Sequence, residues 1–130
     1  MKRTILMAFI ITISIAACTK RASDIEDTSP KATIQILQPT AGAIFNSNDS
    51  ISIQATAVST ATIHGYDIII RRAEDTAKLY FKHIHDHNDT LAINHKWKPA
   101  ISNTSLQLEL VLYLDHDGNT GNKKVNFRVQ

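Results

Sequence analysis

The chain contains little cysteine, glycine, proline or aromatic side chain, and several classes of protein depend on these residues. Its 130 residues include one cysteine, four glycines and three prolines, and aromatic residues make up 6%. A single cysteine excludes an intramolecular disulfide, a Cys-x-x-Cys redox pair and a zinc ribbon. The scarcity of glycine and proline excludes collagen-like and low-complexity chains, and no glycine-rich phosphate-binding loop is present. A chain of this length provides one ordinary domain.

Neither sign of charge is in excess once the first residues are set aside. Lys2 and Arg3 lie in a segment that we expect to be removed, which leaves 12 of the 14 basic residues against 12 acidic ones. A neutral domain has no electrostatic basis for binding nucleic acid or an anionic membrane surface. We therefore expect no nucleic-acid partner.

Residues 1–17 are typical of a bacterial lipoprotein signal peptide. A basic start precedes the apolar run Ile5 to Ala17, whose 13 residues are too few for a membrane-spanning helix, which needs about 20. The run ends at Ile15-Ala16-Ala17-Cys18, which resembles the lipobox of bacterial lipoproteins. That resemblance implies that Cys18 becomes the lipidated first residue of the mature protein and anchors it to a membrane. The alternative is a plain secreted protein with an incidental cysteine.

The segment after the lipobox is predicted to be a flexible tether, residues 18–31. Only Ala22 and Ile25 are apolar among residues 19–31. Such a composition buries too little surface to offset the entropy that a chain loses on folding.

From residue 32 onward the pattern is that of β-strands. Apolar and polar residues alternate with period two, turn-forming residues recur about every 8–12 positions, and no segment is convincingly helical. Leu106 to Leu114 is the longest alternating run, and in a helix its polar members would scatter around all sides. These features predict an all-β protein with an antiparallel β-sandwich over residues 32–130. The predicted strands include Ile34 to Ile36, Ile51 to Ala57, Ile63 to Arg72, Lys78 to His85, Leu91 to Trp97, Leu106 to Leu114 and Val125 to Val129.

Three segments resemble those of bacterial immunoglobulin-like domains. They are the Pro-x-x-Gly-x-x-Phe loop from Pro39 to Phe45, the alternating Ile51 to Ala55, and the turn from Asp115 to Asn119 before the last strand. With the lipobox and a histidine-bearing fourth strand, the chain resembles small Bacteroidota lipoproteins with one such domain. The resemblance implies an immunoglobulin-like β-sandwich of about seven strands at the bacterial outer membrane, on its periplasmic or its surface face. A shared sandwich fold does not decide function.

The candidate functional residues are histidines and their acidic neighbours. His83 and His85 are separated by one residue in a predicted strand, so their side chains point to the same face about 6–7 Å apart. Two imidazoles placed in this way can converge on one ion, and zinc and copper are the expected metals. The segment that follows is turn-forming, and a bend after His85 would bring in His87. The predicted metal site contains His83, His85, His87, Asp86, Asp89 and, from the next strand, His95.

Other interpretations of these residues stay open at this point. Histidine and aspartate are also ordinary solvated turn residues. Because Leu79 and Phe81 share strand parity with His83 and His85, the pair is also compatible with the end of the core face. The loop from Asp115 to Asn122 lacks the glycine and glutamate positions of an EF-hand, so we interpret it as a β-hairpin turn.

The expected function is that of a binding or accessory module. No nucleophile elbow or phosphate loop is recognisable, and no second group accompanies the candidate metal ligands, so we expect no enzyme. The segment His83 to Asp89 is expected to contact a metal ion or a protein partner. The alternative is a structural or adhesion module without a small-molecule site.

Overall fold

The computed structural model describes residues 29–130, and every regular element in that range is a β-strand. The predicted signal peptide, the predicted lipidation site Cys18 and most of the predicted tether lie outside the described residues. Nothing in residues 29–130 forms a helix with the length and apolar character that crossing a membrane requires. The strands are β1 Ala32–Gln38, β2 Ile44–Phe45, β3 Ile51–Ser59, β4 Gly65–Arg72, β5 Lys78–Ile84, β6 Thr90–Trp97, β7 Thr104–Tyr113 and β8 Thr120–Val129.

The strands form two sheets, which confirms the predicted all-β sandwich. One sheet has three strands in the order β1-β3-β6, and the other has five in the order β2-β8-β7-β4-β5. All pairings are antiparallel except that of β2 with β8, which is parallel. The two-residue strand β2 was not predicted, because alternation cannot show in a segment of that length.

The core lies between the inner faces of the two sheets. Leu106, Leu108, Leu110 and Leu112 of β7 are all 0% exposed, as their period-two spacing predicts. A fully buried leucine side chain contributes about 1.5–3 kcal/mol to folding, so this row alone is a major source of stability. Ile69 of β4 is only 6% exposed although it faces outward, because β4 has a neighbour on each side.

The edge strand β5 carries His83 on the outer face of the five-stranded sheet. In the β4–β5 ladder, Lys82 lies opposite the inward Ile68, and His83 lies opposite Asp67 on the outer face. Phe81 shares the face of His83 and is 49% exposed. The alternative that places the histidines at the end of the core face is therefore wrong. That alternative treats Phe81 as a core residue, whereas the inward-facing residues of β5 are the even-numbered ones.

Three loops meet at one end of the sandwich: residues 60–64, 85–89 and 114–119. Backbone hydrogen bonds join the first loop to its neighbours: Ile63 N donates to Asn88 O at 3.0 Å and His64 N donates to Tyr113 O at 2.7 Å. Loops on a rigid β-sandwich are frequent locations of binding residues. This end of the domain also carries most of the histidines.

Candidate functional site

Five histidines line one open cleft at the joined loops, which we call the histidine cleft. Its volume is about 380 Å³. His83 comes from the end of β5, His85 and His87 follow in the next loop, and all three side chains line the same cleft. His64 comes from the loop before β4 and His116 from the β7–β8 hairpin. The lining residues are His64, His83, His85, His87, Tyr113, Asp115, His116 and Gly118.

The histidine rings contact one another in pairs. The ring centres of His83 and His85 are 4.8 Å apart, and His64 lies 4.2 Å from His116 and 5.5 Å from His87. Two imidazoles bound to one zinc ion, with nitrogen–metal distances near 2.0–2.1 Å, have ring centres roughly 4.5–5.5 Å apart. In residues 29–130, no group of three or more His, Cys, Asp or Glu side chains is already arranged around one point. The cleft therefore offers pairs of imidazoles rather than a completed coordination shell.

A buried carboxylate orients one member of these pairs. Asp67 lies beneath His83, and its Oδ1 is 2.6 Å from His83 Nδ1. Its Oδ2 accepts a hydrogen bond of 2.6 Å from the Tyr113 hydroxyl. That bond, followed by burial, raises the pKa of Tyr113, so the phenol remains a donor at neutral pH. With Nδ1 of His83 occupied by the carboxylate, Nε2 is the nitrogen left for a ligand.

The His64 ring has a buried nitrogen without a hydrogen-bond partner. Its Nδ1 is buried and makes no hydrogen bond to any described residue, while its backbone is fixed to Tyr113. An unpaired buried polar atom costs about 1–3 kcal/mol. A ligand bound in the cleft would provide such a partner.

The Asp115 carboxylate lines the cleft but is occupied by its own hairpin. Oδ1 accepts hydrogen bonds from the backbone nitrogens of Asp117 at 3.0 Å and Asn119 at 2.9 Å, and Oδ2 accepts one from the Asn119 side chain. These bonds, that of the Asn119 side chain first, lower the pKa of Asp115. They support the interpretation of this segment as a hairpin turn, and the turn presents His116 to the cleft.

Two predicted ligands lie close in sequence to the cleft but do not line it. The Asp86 carboxylate accepts a hydrogen bond from the Asn88 side chain. The backbone oxygen of Asp89 accepts a hydrogen bond of 2.8 Å from Ser59 N. The structure therefore brings together three of the predicted ligands, His83, His85 and His87.

His95, predicted to complete the site, lies between the two sheets instead. It belongs to β6 of the three-stranded sheet and pairs with the inward-facing Ile53. Its Nε2 is 3.1 Å from the Tyr66 hydroxyl and its Nδ1 is 3.4 Å from Lys82 Nζ. Burial, and then the charge of Lys82, lower the pKa of His95. Strand β6 follows β5 along the chain, but the two strands belong to different sheets.

The residues not predicted for the site are five of the cleft lining, His64, Tyr113, Asp115, His116 and Gly118, and Asp67 beneath His83. The sequence contains a signal for four of these six. In an antiparallel sandwich every second loop lies at the same end, which places His64 and His116 with the loop after β5. Asp67 is the one charged residue in the segment Tyr66 to Ile70, and charge in a buried strand is uncommon without a purpose. Tyr113 is the last residue of the leucine-rich strand β7 and lies at the same end of the sandwich as these loops.

Comparison with known proteins supports the fold. No protein-family model matches the chain, and no curated protein matches it either. Among solved structures, the chain is similar to the fibronectin(III)-like modules of Clostridium thermocellum CbhA, with a TM-score of 0.54 and 19% identity over 75% of this chain and 94% of that one. It is also similar to a CARDB domain from Pyrococcus furiosus in complex with di-metal ions, with a TM-score of 0.46 and 8% identity over 78% and 96% of the two chains.

These similarities concern the architecture alone. The similarity to the CbhA modules confirms the predicted immunoglobulin-like β-sandwich fold. At 19% identity they say nothing about ligands, and the CARDB similarity is too weak to support an argument. The resemblance to Bacteroidota lipoproteins stays a prediction.

Proposed function

We propose that this protein is an extracytoplasmic binding module that takes a transition-metal ion, zinc or copper, in the histidine cleft. The observation that supports this proposal is that five of the six histidines of the chain line one cleft. They come from the end of β5 and from three separate loops. Turns and strand ends do not need histidine, since Gly, Asn, Asp and Ser satisfy their backbone requirements. Imidazole is a ligand that suits zinc and copper.

His83 and His85 form the primary ligand pair in this proposal. Their rings are already at the separation of paired ligands, and Asp67 holds one of them. The rings of His64, His87 and His116 supply further nitrogens across the cleft. The proposed role of the site is binding.

The proposed lipid anchor would keep the end of the sandwich that carries the histidine cleft near the membrane. Ala32 pairs with Ser59 at the end of β3, and Thr60 N donates a hydrogen bond of 2.9 Å to Lys31 O. The chain therefore enters the sandwich at the end that carries the histidine cleft. An extended chain spans at most about 3.6 Å per residue, so a lipid on Cys18 keeps this end within roughly 50 Å of the outer membrane.

Calorimetric titration of zinc, copper(II) and nickel tests the proposal. The mature chain, residues 18–130, carries Cys18→Ser so that its thiol does not compete for metal. Both sheets are built from residues 32–129 and are retained. We expect binding with a dissociation constant in the micromolar range or tighter. The double variant His83→Ala/His85→Ala is expected to lose at least tenfold in affinity.

The sixth histidine provides the matched control. His95→Gln removes an imidazole that does not line the cleft, so its affinity for metal should equal that of the parent chain. Equal losses in the control and the double variant would indicate non-specific binding. Absence of binding at millimolar metal would refute the proposal and favour the alternative, a structural or adhesion module of the fibronectin(III)-like type.

A further inference from the structure

Two carboxylates are buried on the outer face of the five-stranded sheet, and the first has an ordinary structural role. Glu109 of β7 is 7% exposed. Its Oε2 lies 3.2 Å from Arg71 and its Oε1 lies 3.4 Å from Lys124, and the Asn122 side chain donates a third contact at 3.3 Å. Two cations and an amide therefore compensate its charge.

The second carboxylate, Asp67, is buried without comparable compensation. It is 6% exposed, and among residues 29–130 it has no lysine or arginine partner. Its two oxygens contact only His83 and Tyr113. Burying a carboxylate is costly unless its charge is paired, and a neutral residue would pack at this position at lower cost. The choice of aspartate therefore indicates a function for the carboxylate beyond packing.

We propose that Asp67 is a positioning residue that directs Nε2 of His83 into the histidine cleft, with Tyr113 holding the carboxylate in place. This inference rests on the proposed function. A hydrogen bond from Nδ1 to a carboxylate selects the tautomer whose other nitrogen is free to bind metal. The same bond fixes the orientation of the ring before the ion arrives, so less side-chain freedom is lost on binding.

The arrangement is specific to one histidine of the cleft. In the part of the chain that the structure describes, His83 alone among the five has a carboxylate at its Nδ1. His85 contacts the His83 ring edge-on, at an interplanar angle of 88°. Fixing His83 therefore also restricts the neighbour with which it would share an ion.

The tautomer of His83 tests this inference without any metal. Long-range ¹H–¹⁵N spectra of the metal-free mature chain carrying Cys18→Ser, at alkaline pH, should show His83 protonated at Nδ1. In Asp67→Asn this preference should be lost, and zinc affinity should fall by about 10–100-fold, the usual effect of removing such a partner. Tyr113→Phe keeps the carboxylate and should give a smaller loss with the tautomer retained.

Glu109→Gln is the matched control, because it neutralises the other buried carboxylate of the same face. It should lower the thermal midpoint while leaving the His83 tautomer and zinc affinity unchanged. A His83 protonated at Nε2 in the parent chain would overturn the inference, and so would an Asp67→Asn variant with unchanged affinity. If the tautomer is as expected but no metal binds, the metal-binding proposal fails while the orientation of His83 by Asp67 stands.

Discussion

Removing the imidazoles of His83 and His85 should remove most of the metal-induced stabilisation without unfolding the domain. The His83 side chain is 39% exposed and lies outside the core. Removing His83 nevertheless leaves the buried Asp67 carboxylate without one of its two hydrogen-bond partners, which costs about 1–3 kcal/mol, so the metal-free thermal midpoint should fall while the domain still folds. A double variant that does not fold without metal would show that the pair is structural.

The size of the metal effect follows from mass action. Free metal at one hundred times the dissociation constant stabilises a protein by about 2.7 kcal/mol. A domain of this size shifts its midpoint by roughly 4–8 °C per kcal/mol, so the parent chain should gain roughly 10–20 °C. A variant with a hundredfold weaker site gains about 0.4 kcal/mol at the same concentration, which is roughly 2–3 °C.

Differential scanning calorimetry of the parent chain and the double variant, with and without zinc, measures the metal-free thermal midpoint and its metal-induced shift. The same metal-induced shift in the double variant and the parent would refute the assignment of His83 and His85 as metal ligands. A parent chain that shows no shift at millimolar zinc would also refute it. His95→Gln, measured beside them, should keep the full shift.

Three further predictions concern the domain that carries the cleft. Leu108→Ala in the core should cost about 2–5 kcal/mol in urea unfolding, and a cost below 1 kcal/mol would contradict the packing described. Asp115→Ala should destabilise the β7–β8 hairpin at neutral pH. Because the pKa of Asp115 is lowered in the folded state, its contribution is present above the pKa of the unfolded chain and is lost as the pH falls through the folded value. NMR titration should give His95 a pKa below its usual range, rising in Lys82→Ala; an unchanged value would refute the Lys82 contact.

The fold was predictable where inside and outside alternate strictly. Leu106 to Leu112 face the core at every second position, so β7 was evident from periodicity. The short strand β2 was not, because backbone bonds alone define it: Gln130 N donates to Phe45 O at 2.9 Å and Arg128 N donates to Ala43 O at 2.8 Å. Such bonds leave no hydrophobic pattern in the sequence.

The face of β5 was ambiguous for a related reason. A register irregularity between Ile70 and Arg71 sets Leu79 apart from the regular pairing of β4 with β5. Leu79 is half-buried although the inward positions of this strand are the even-numbered ones. Parity counted from Leu79 therefore gives the wrong face for Phe81 and His83. A bulge in an edge strand depends on the neighbouring strand, which local patterns do not reveal.

The site was predictable only in its local part. His83, His85 and His87 are close in sequence, and they line the same cleft. His64 and His116 reach it because the topology brings alternate loops to one end, and His95 does not because β6 lies in the other sheet. The role of Asp67 depends on cross-strand pairing with His83, which requires the register of two strands.

An NMR titration with zinc tests whether one metal ion binds among the cleft histidines. Imidazole ¹H–¹⁵N resonances of residues 18–130 carrying Cys18→Ser are followed up to one equivalent of zinc. We predict that the signals of His83 and His85 change and saturate at one equivalent, that other cleft histidines change with them, and that the signal of His95 stays in place. Changes spread evenly over all six histidines, without saturation, would contradict it.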